Sequence, residues 1–192
     1  MEKKYLIPIL IFLQFCFCKN IHSQIVRPGL ISSQGTIAVG SFLKVPSSPF
    51  YLHGSLDAFL QKNVSYFGEI YWYLGELNKS RQFDYHHSLF WGLKYHLVKN
   101  NHDLILGIAP GISMTKINQT HILIVSENKR HIGINPQMAV ILGYRFYVHR
   151  FFHVFAEGKY LAGTHNMDQK TSLSELRFSA GLGFNLNLLK AK

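Results

Sequence analysis

From Glu175 to Leu188 the chain alternates without a break: Leu176, Phe178, Ala180, Leu182, Phe184, Leu186 and Leu188 occupy one side, and Glu175, Arg177, Ser179, Gly181, Gly183, Asn185 and Asn187 the other. A period of two is that of an extended strand whose side chains point in turn to opposite faces, and it is incompatible with a helix. The run is more than twice as long as the usual strand of about five or six residues. It is long enough for a tilted β-crossing of a bilayer, which takes about 9–11 residues.

The same pattern recurs upstream. Met138, Val140, Leu142, Tyr144, Phe146 and Val148 alternate with Gln137, Ala139, Ile141, Gly143, Arg145, Tyr147 and His149. Phe152, Val154, Ala156, Gly158 and Tyr160 lie opposite His153, Glu157 and Lys159. Phe83, Tyr85, His87, Leu89, Trp91, Leu93, Tyr95 and Leu97 face away from Asp84, His86, Ser88, Phe90, Gly92, Lys94 and His96. Leu104, Leu106, Ile108, Ile112 and Met114 face away from Asp103, Gly107, Gly111, Ser113 and Thr115, with Pro110 expected to weaken that strand locally. Segments around 35–45, 50–61 and 64–74 behave alike, with Asp57 and Glu69 on the polar side, and bring the total to eight.

The connections alternate in length. Tight links at Lys62-Asn63, Lys99–His102 and His149-Arg150 take turns with longer, polar ones at Gly75–Gln82, Lys116–Pro136 and His165–Ser174. Short turns at one rim and longer loops at the other are the habit of a transmembrane barrel; the short link Pro46–Pro49 fits this least well. Tracing strand directions places Phe50, Trp72, Phe83, Tyr85, Tyr160 and Phe178 near the external rim. Tyr66, Tyr95, Phe146, Phe152 and Phe184 fall near the periplasmic rim, so the two groups form belts at headgroup depth.

Ahead of the strands, Lys3 and Lys4, the apolar stretch Tyr5–Cys18 and the polar Lys19–Ser23 have the layout of a secretory signal peptide. Residues 1–23 are read as that segment, with cleavage after Ser23, and residues 24–192 as the barrel domain; lipidation at Cys16 or Cys18 is the alternative. These are the chain's two cysteines, so the barrel region carries no disulfide, thiolate metal site or cysteine nucleophile. The 20 Lys+Arg residues exceed the 10 Asp+Glu, but only 16% of the chain is charged and 14% is aromatic. That composition suits a nucleic-acid-binding module poorly.

A soluble lipocalin-like barrel binding an apolar ligand would alternate too, but its polar face would be a water-exposed exterior. Here the polar face is rich in Gly92, Gly107, Ala109, Gly111, Ser179, Gly181 and Gly183, which suits a narrow lumen. Its charges balance, with Asp57, Glu69, Glu157 and Glu175 against Lys94, Arg145, Lys159 and Arg177. Such a set is expected to pair inside the barrel and plug it, since an isolated buried charge is costly.

With its signal segment, eight amphipathic strands and closing stretch Leu176–Phe184, the chain resembles the small eight-stranded outer-membrane β-barrel proteins of Gram-negative bacteria over residues 24–192. The resemblance implies an all-β, antiparallel up-and-down barrel in the outer membrane, inserted by the barrel-assembly machinery. Because this chain ends Leu188-Leu189-Lys190-Ala191-Lys192 without a terminal aromatic, that machinery would have to read Phe184 or another internal residue. Members include adhesins, structural proteins, secretion accessories and lipid-modifying enzymes, so fold alone leaves the activity open.

Of possible chemistries, His86-His87-Ser88 resembles the His-x-Ser element of outer-membrane lipid A deacylases, in which histidine activates serine. Leu89 stands where that family commonly has asparagine, and alternation turns His86 and Ser88 toward the lumen. The eleven histidines form no HExxH or zinc-ligand spacing, and neither a metal nor a cofactor is expected. Lys79, Arg81, Lys116, Lys129 and Arg130, together with Lys170, are placed to meet lipopolysaccharide phosphates. In the longest link, His121–Val125 and His131–Ile134 flank a turn and read as a hairpin whose edge offers a protein partner a strand, within 116–136. The leading expectation is a non-enzymatic envelope-structural or surface-interaction protein.

Overall fold

The computed structural model describes residues 26–77, 83–117, 132–165 and 171–188. The expected signal segment lies outside these residues. The strands are β1 (Leu30–Phe42), β2 (Pro49–Gln61), β3 (Val64–Glu76), β4 (Phe83–Lys99), β5 (His102–Ile117), β6 (Gly133–His149), β7 (Phe152–His165), the two-residue β8 (Thr171–Ser172) and β9 (Glu175–Asn187). Each long strand pairs antiparallel with its neighbours in sequence order; β9 pairs with both β7 and β1, which closes eight strands into a barrel. β8 pairs with the end of β7, at one rim. Strand β1 starts at Leu30, upstream of the 35–45 segment, because Leu30–Gln34 complete the closing ladder against Gly183–Asn187 of β9.

Which face meets which medium is settled by burial. Leu142 on β6 is 58% exposed on the outer wall, whereas Arg145, three residues on, is 0% exposed inside. The pattern holds around the circumference: Leu52, Ile70, Leu93, Leu106, Val140, Leu182 and Leu186 face out, while Asp57, Glu69, Lys94, Glu157, Lys159, Glu175 and Arg177 are buried. A barrel in water would have the reverse arrangement. On the outer wall a shallow groove of about 610 Å³ lies where Ala156, Gly158 and Ala180 sit low between Leu142, Tyr144 and Phe178.

Three local features have simple causes. Asn100 in the β4–β5 turn has φ 54°, the left-handed region that asparagine tolerates better than most residues. Pro110 does not end β5, which pairs with β6 through Pro110 and Met138. Toward β4 the ladder is interrupted between Phe90–Gly111 and Leu93–Ile108 with its register kept, as expected where a residue lacks an N–H. Gly92 fills that gap, since a Cβ there would come within 2.2 Å of the Ile108 carbonyl oxygen. Phe83 differs from its expected outward position. A register shift between Phe83 and Tyr85 turns it into the lumen, where it is buried with its ring centroid 4.9 Å from that of Phe42. The other expected rim rings that are more than about two-fifths exposed, Tyr66, Trp72, Tyr95, Phe152, Tyr160, Phe178 and Phe184, lie on the outer wall.

Candidate functional site in the barrel lumen

Inward positions stack side chains in three layers. The middle layer holds most of the charge. Lys94 from β4 reaches Asp57 of β2 at 3.3 Å and Glu157 of β7 at 3.1 Å. Arg145 of β6 donates to the same Asp57. Lys159 of β7 pairs with Glu69 of β3, and with Glu157 at 2.8 Å. Its ammonium also lies 5.0 Å from the Tyr71 ring centroid, and that of Lys94 4.3 Å from the Phe67 centroid. Three acids and three bases from five strands thus form one chain of contacts in which each charge has at least one opposite neighbour. That is the condition under which buried ions are tolerated.

His53, Glu69 and Glu157 in this layer bring one potential ligand atom each to within 4.8 Å of one another. The cation found there is the Lys159 ammonium, bound to both carboxylates. A metal would have to displace it. Sequence inspection does not find this cluster, because its members come from β2, β3 and β7 with no local spacing.

Toward the rim with the longer links, Arg177 of β9 donates from Nη2 to Glu175 at 2.8 Å, to Ser88 Oγ at 3.1 Å and to Tyr51 Oη at 3.3 Å. Its guanidinium lies over the Tyr51 and Tyr71 rings, 4.2 and 4.5 Å from their centroids. Tyr51 in turn donates to Glu175 Oε1 at 2.8 Å. Beyond this group the lumen is apolar, packed with Phe42, Tyr73, Phe83, Leu161 and Leu173.

His86 and Ser88 both sit in this upper layer, buried in the lumen. Each has a different partner: His86 Nδ1 lies 2.9 Å from Thr115 Oγ1, and Nε2 lies 3.7 Å from Glu175 Oε2, whereas Ser88 Oγ accepts from Arg177. The pair is turned away from the hydrocarbon. Of the basic residues assigned to lipopolysaccharide contact, Lys116 is described, paired with Asp84 at 3.2 Å near the external rim. Lys79, Arg81, Lys129, Arg130 and Lys170 lie outside the described residues, as does most of the 116–136 link.

The layer nearest the tight turns holds a contact between residues far apart in the chain. Ser65 Oγ of β3 lies 2.8 Å from His96 Nε2 of β4. His96 Nδ1 lies 2.9 and 3.1 Å from the two carboxylate oxygens of Asp103 on β5. Tyr147 donates to Asp103 Oδ2 at 3.2 Å. Phe59, Val26, Leu30 and Tyr147 close this end as a small apolar cluster.

No protein-family model matches the sequence, and no curated protein matches it. Solved structures do. The outer membrane protein OprG of Pseudomonas aeruginosa superposes with a TM-score of 0.62 at 11% identity, over 85% of this chain and 99% of that one. Neisserial surface protein A gives 0.58 at 11% identity, over 83% and 96%. Ail of Yersinia pestis, in complex with the heparin analogue sucrose octasulfate, gives 0.56 at 13% identity, over 83% and 99%. The fold is that of the small outer-membrane barrels. With an apolar wall around a buried, ionic lumen, this barrel is built to cross the outer membrane with eight strands.

Proposed function

We infer that this chain is a structural and surface-interaction barrel of the outer membrane, working through its outer rim and external links while its lumen conducts nothing across. The observation that supports this most directly is the middle layer of the lumen, where Asp57, Lys94, Arg145, Glu157, Lys159 and Glu69 are at most 5% exposed and bonded across five strands. Eight strands leave an interior that side chains fill. In planar bilayers the purified barrel should therefore give no discrete conductance steps. Steps from the wild-type protein would refute the plugged reading.

The external side carries the interaction. Lys116 supplies positive charge near the rim with the longer links, and the sequence adds Lys79, Arg81, Lys129 and Arg130 to those links, a set suited to the phosphates of lipopolysaccharide. The heparin analogue bound to Ail shows that a barrel of this fold accepts a polyanion. Assembly by the barrel-assembly machinery and pairing of a partner protein with the 116–136 link belong to the same reading. Vesicles carrying lipopolysaccharide should retain the protein's external segments in a salt-sensitive way, read as protection from added protease. Equal protection with dephosphorylated lipopolysaccharide would count against the phosphate contact.

A further inference from the structure

We propose that Ser65, His96 and Asp103 form a nucleophilic triad that cleaves an acyl ester at the tight-turn end of the barrel. Triads are recognised by roles and geometry, whatever the order of the residues in the chain. All three roles are filled here by fully buried side chains on adjacent strands. A carboxylate accepts hydrogen bonds, so the tautomer of His96 that the relay uses carries its proton on Nδ1, against Asp103. Nε2 is thereby left as the acceptor for the Ser65 hydroxyl at 2.8 Å. Tyr147 steadies the carboxylate from its other side. No such relay exists at His86 and Ser88, whose partners differ.

Two further features belong to the same place. Arg145 stands opposite Asp103 in the β5–β6 register, and its Nη1 is buried with no hydrogen-bond partner. Its guanidinium pairs with Asp57 in the layer above and sets a fixed positive charge beside Asp103 and Tyr147. The cover over the triad is apolar: the Phe59 ring lies 4.5 Å from that of His96 and clusters with Val26, Leu30, Tyr147 and Val98. An apolar cover selects a substrate whose reacting end is an acyl chain.

In the reaction, Ser65 Oγ bonds to the ester carbonyl carbon as its proton passes to His96 Nε2. The carbon–alkoxy bond then breaks, and His96 returns the proton to the departing alcohol. Water, deprotonated by His96, releases the carboxylic acid from the acyl-serine and restores the hydroxyl. Entry requires the cover to move. The chain is anchored there by Gly29, which donates to Phe59 O at 2.9 Å and accepts from Leu188 N at 3.1 Å. Val26 lies beyond that anchor and beyond Arg27, whose Nε donates to Asn187 at 2.8 Å, so Val26→Gly thins the cover without removing either contact.

The test is covalent labelling of the mature, membrane-reconstituted protein by an alkyl fluorophosphonate, with the adduct located by peptide mass spectrometry. Ser65 should be labelled, Val26→Gly should label faster, and Ser88→Ala should match the wild type. His96→Gln should slow labelling by about 100-fold or more, with Asp103→Asn as the second variant should His96→Gln lose heat-modifiable gel mobility. Absence of a Ser65 adduct in both wild type and Val26→Gly overturns the proposal, as does a rate that neither His96→Gln nor Asp103→Asn changes. The source of the ester is then read from two substrates. Release of nitrophenol from p-nitrophenyl butyrate identifies a soluble ester, and release of fatty acid from phosphatidylethanolamine vesicles a membrane lipid. Hydrolysis of neither overturns the esterase assignment.

Discussion

The outer wall and the lumen are made by the same eight strands from alternate residues, yet they obey different rules. On the wall, Leu93, Leu106, Val140, Leu142 and Leu186 are half exposed to a uniform medium, and hydrocarbon asks only that a side chain be apolar. In the lumen a buried charge has to find a particular partner at a particular height: Asp57 answers to Lys94 and Arg145, Glu69 to Lys159, and Glu175 to Arg177 and Tyr51. The wall is therefore specified by composition and the lumen by identity. A change of identity at constant polarity should be silent outside and damaging inside.

Three substitutions press on that difference. The largest effect is expected from Arg145→Met, which leaves Asp57 sharing Lys94 with Glu157. Losing one member of a buried ion pair costs about 3–5 kcal/mol, read as guanidinium unfolding from phospholipid vesicles by the fluorescence of Trp72 and Trp91. The double variant Asp57→Asn/Arg145→Met should recover much of that loss, and a double variant no better than the single one would mean that the two side chains act independently. Next is Leu142→Arg on the wall, expected to cost about 2–4 kcal/mol near the bilayer midplane, whereas Leu142→Met should stay within about 1 kcal/mol. If Arg is tolerated as well as Met, that face does not meet hydrocarbon. The smallest effect belongs to Lys116→Glu. Its pairing with Asp84 is partly exposed, so the stability change should be under about 1 kcal/mol while the salt-sensitive contact with lipopolysaccharide weakens. A larger loss of stability would show that this pair belongs with the lumen rather than with the rim.

Much of the architecture was legible in the chain. The run from Glu175 to Leu188 specifies a strand with one apolar and one polar face, and seven similar runs joined by links of alternating length specify an up-and-down barrel. The inward face of Asp57, Lys94, Arg145 and Arg177 followed from parity alone. Parity failed at Phe83, where one register shift reversed the side chain, and no local composition marks that shift. It also pointed at His86 and Ser88, two residues apart on one face, although neighbours along a strand sit about 7 Å apart; His86 found Thr115 on the neighbouring strand and Ser88 found Arg177 of β9.

By itself, then, the sequence determined the number of crossings, the face that residues take wherever the alternation is unbroken, and the medium each face requires, because period two and the water–hydrocarbon preference are properties of single segments. The tertiary structure alone decided which charge meets which, and that Ser65 meets His96 and Asp103. The Ser65–His96–Asp103 contact depends on the register of β3, β4 and β5, while the ion pairs that cross the lumen depend also on the angle around the closed barrel, which is set only when β9 pairs with β1 and brings the far ends of the chain together.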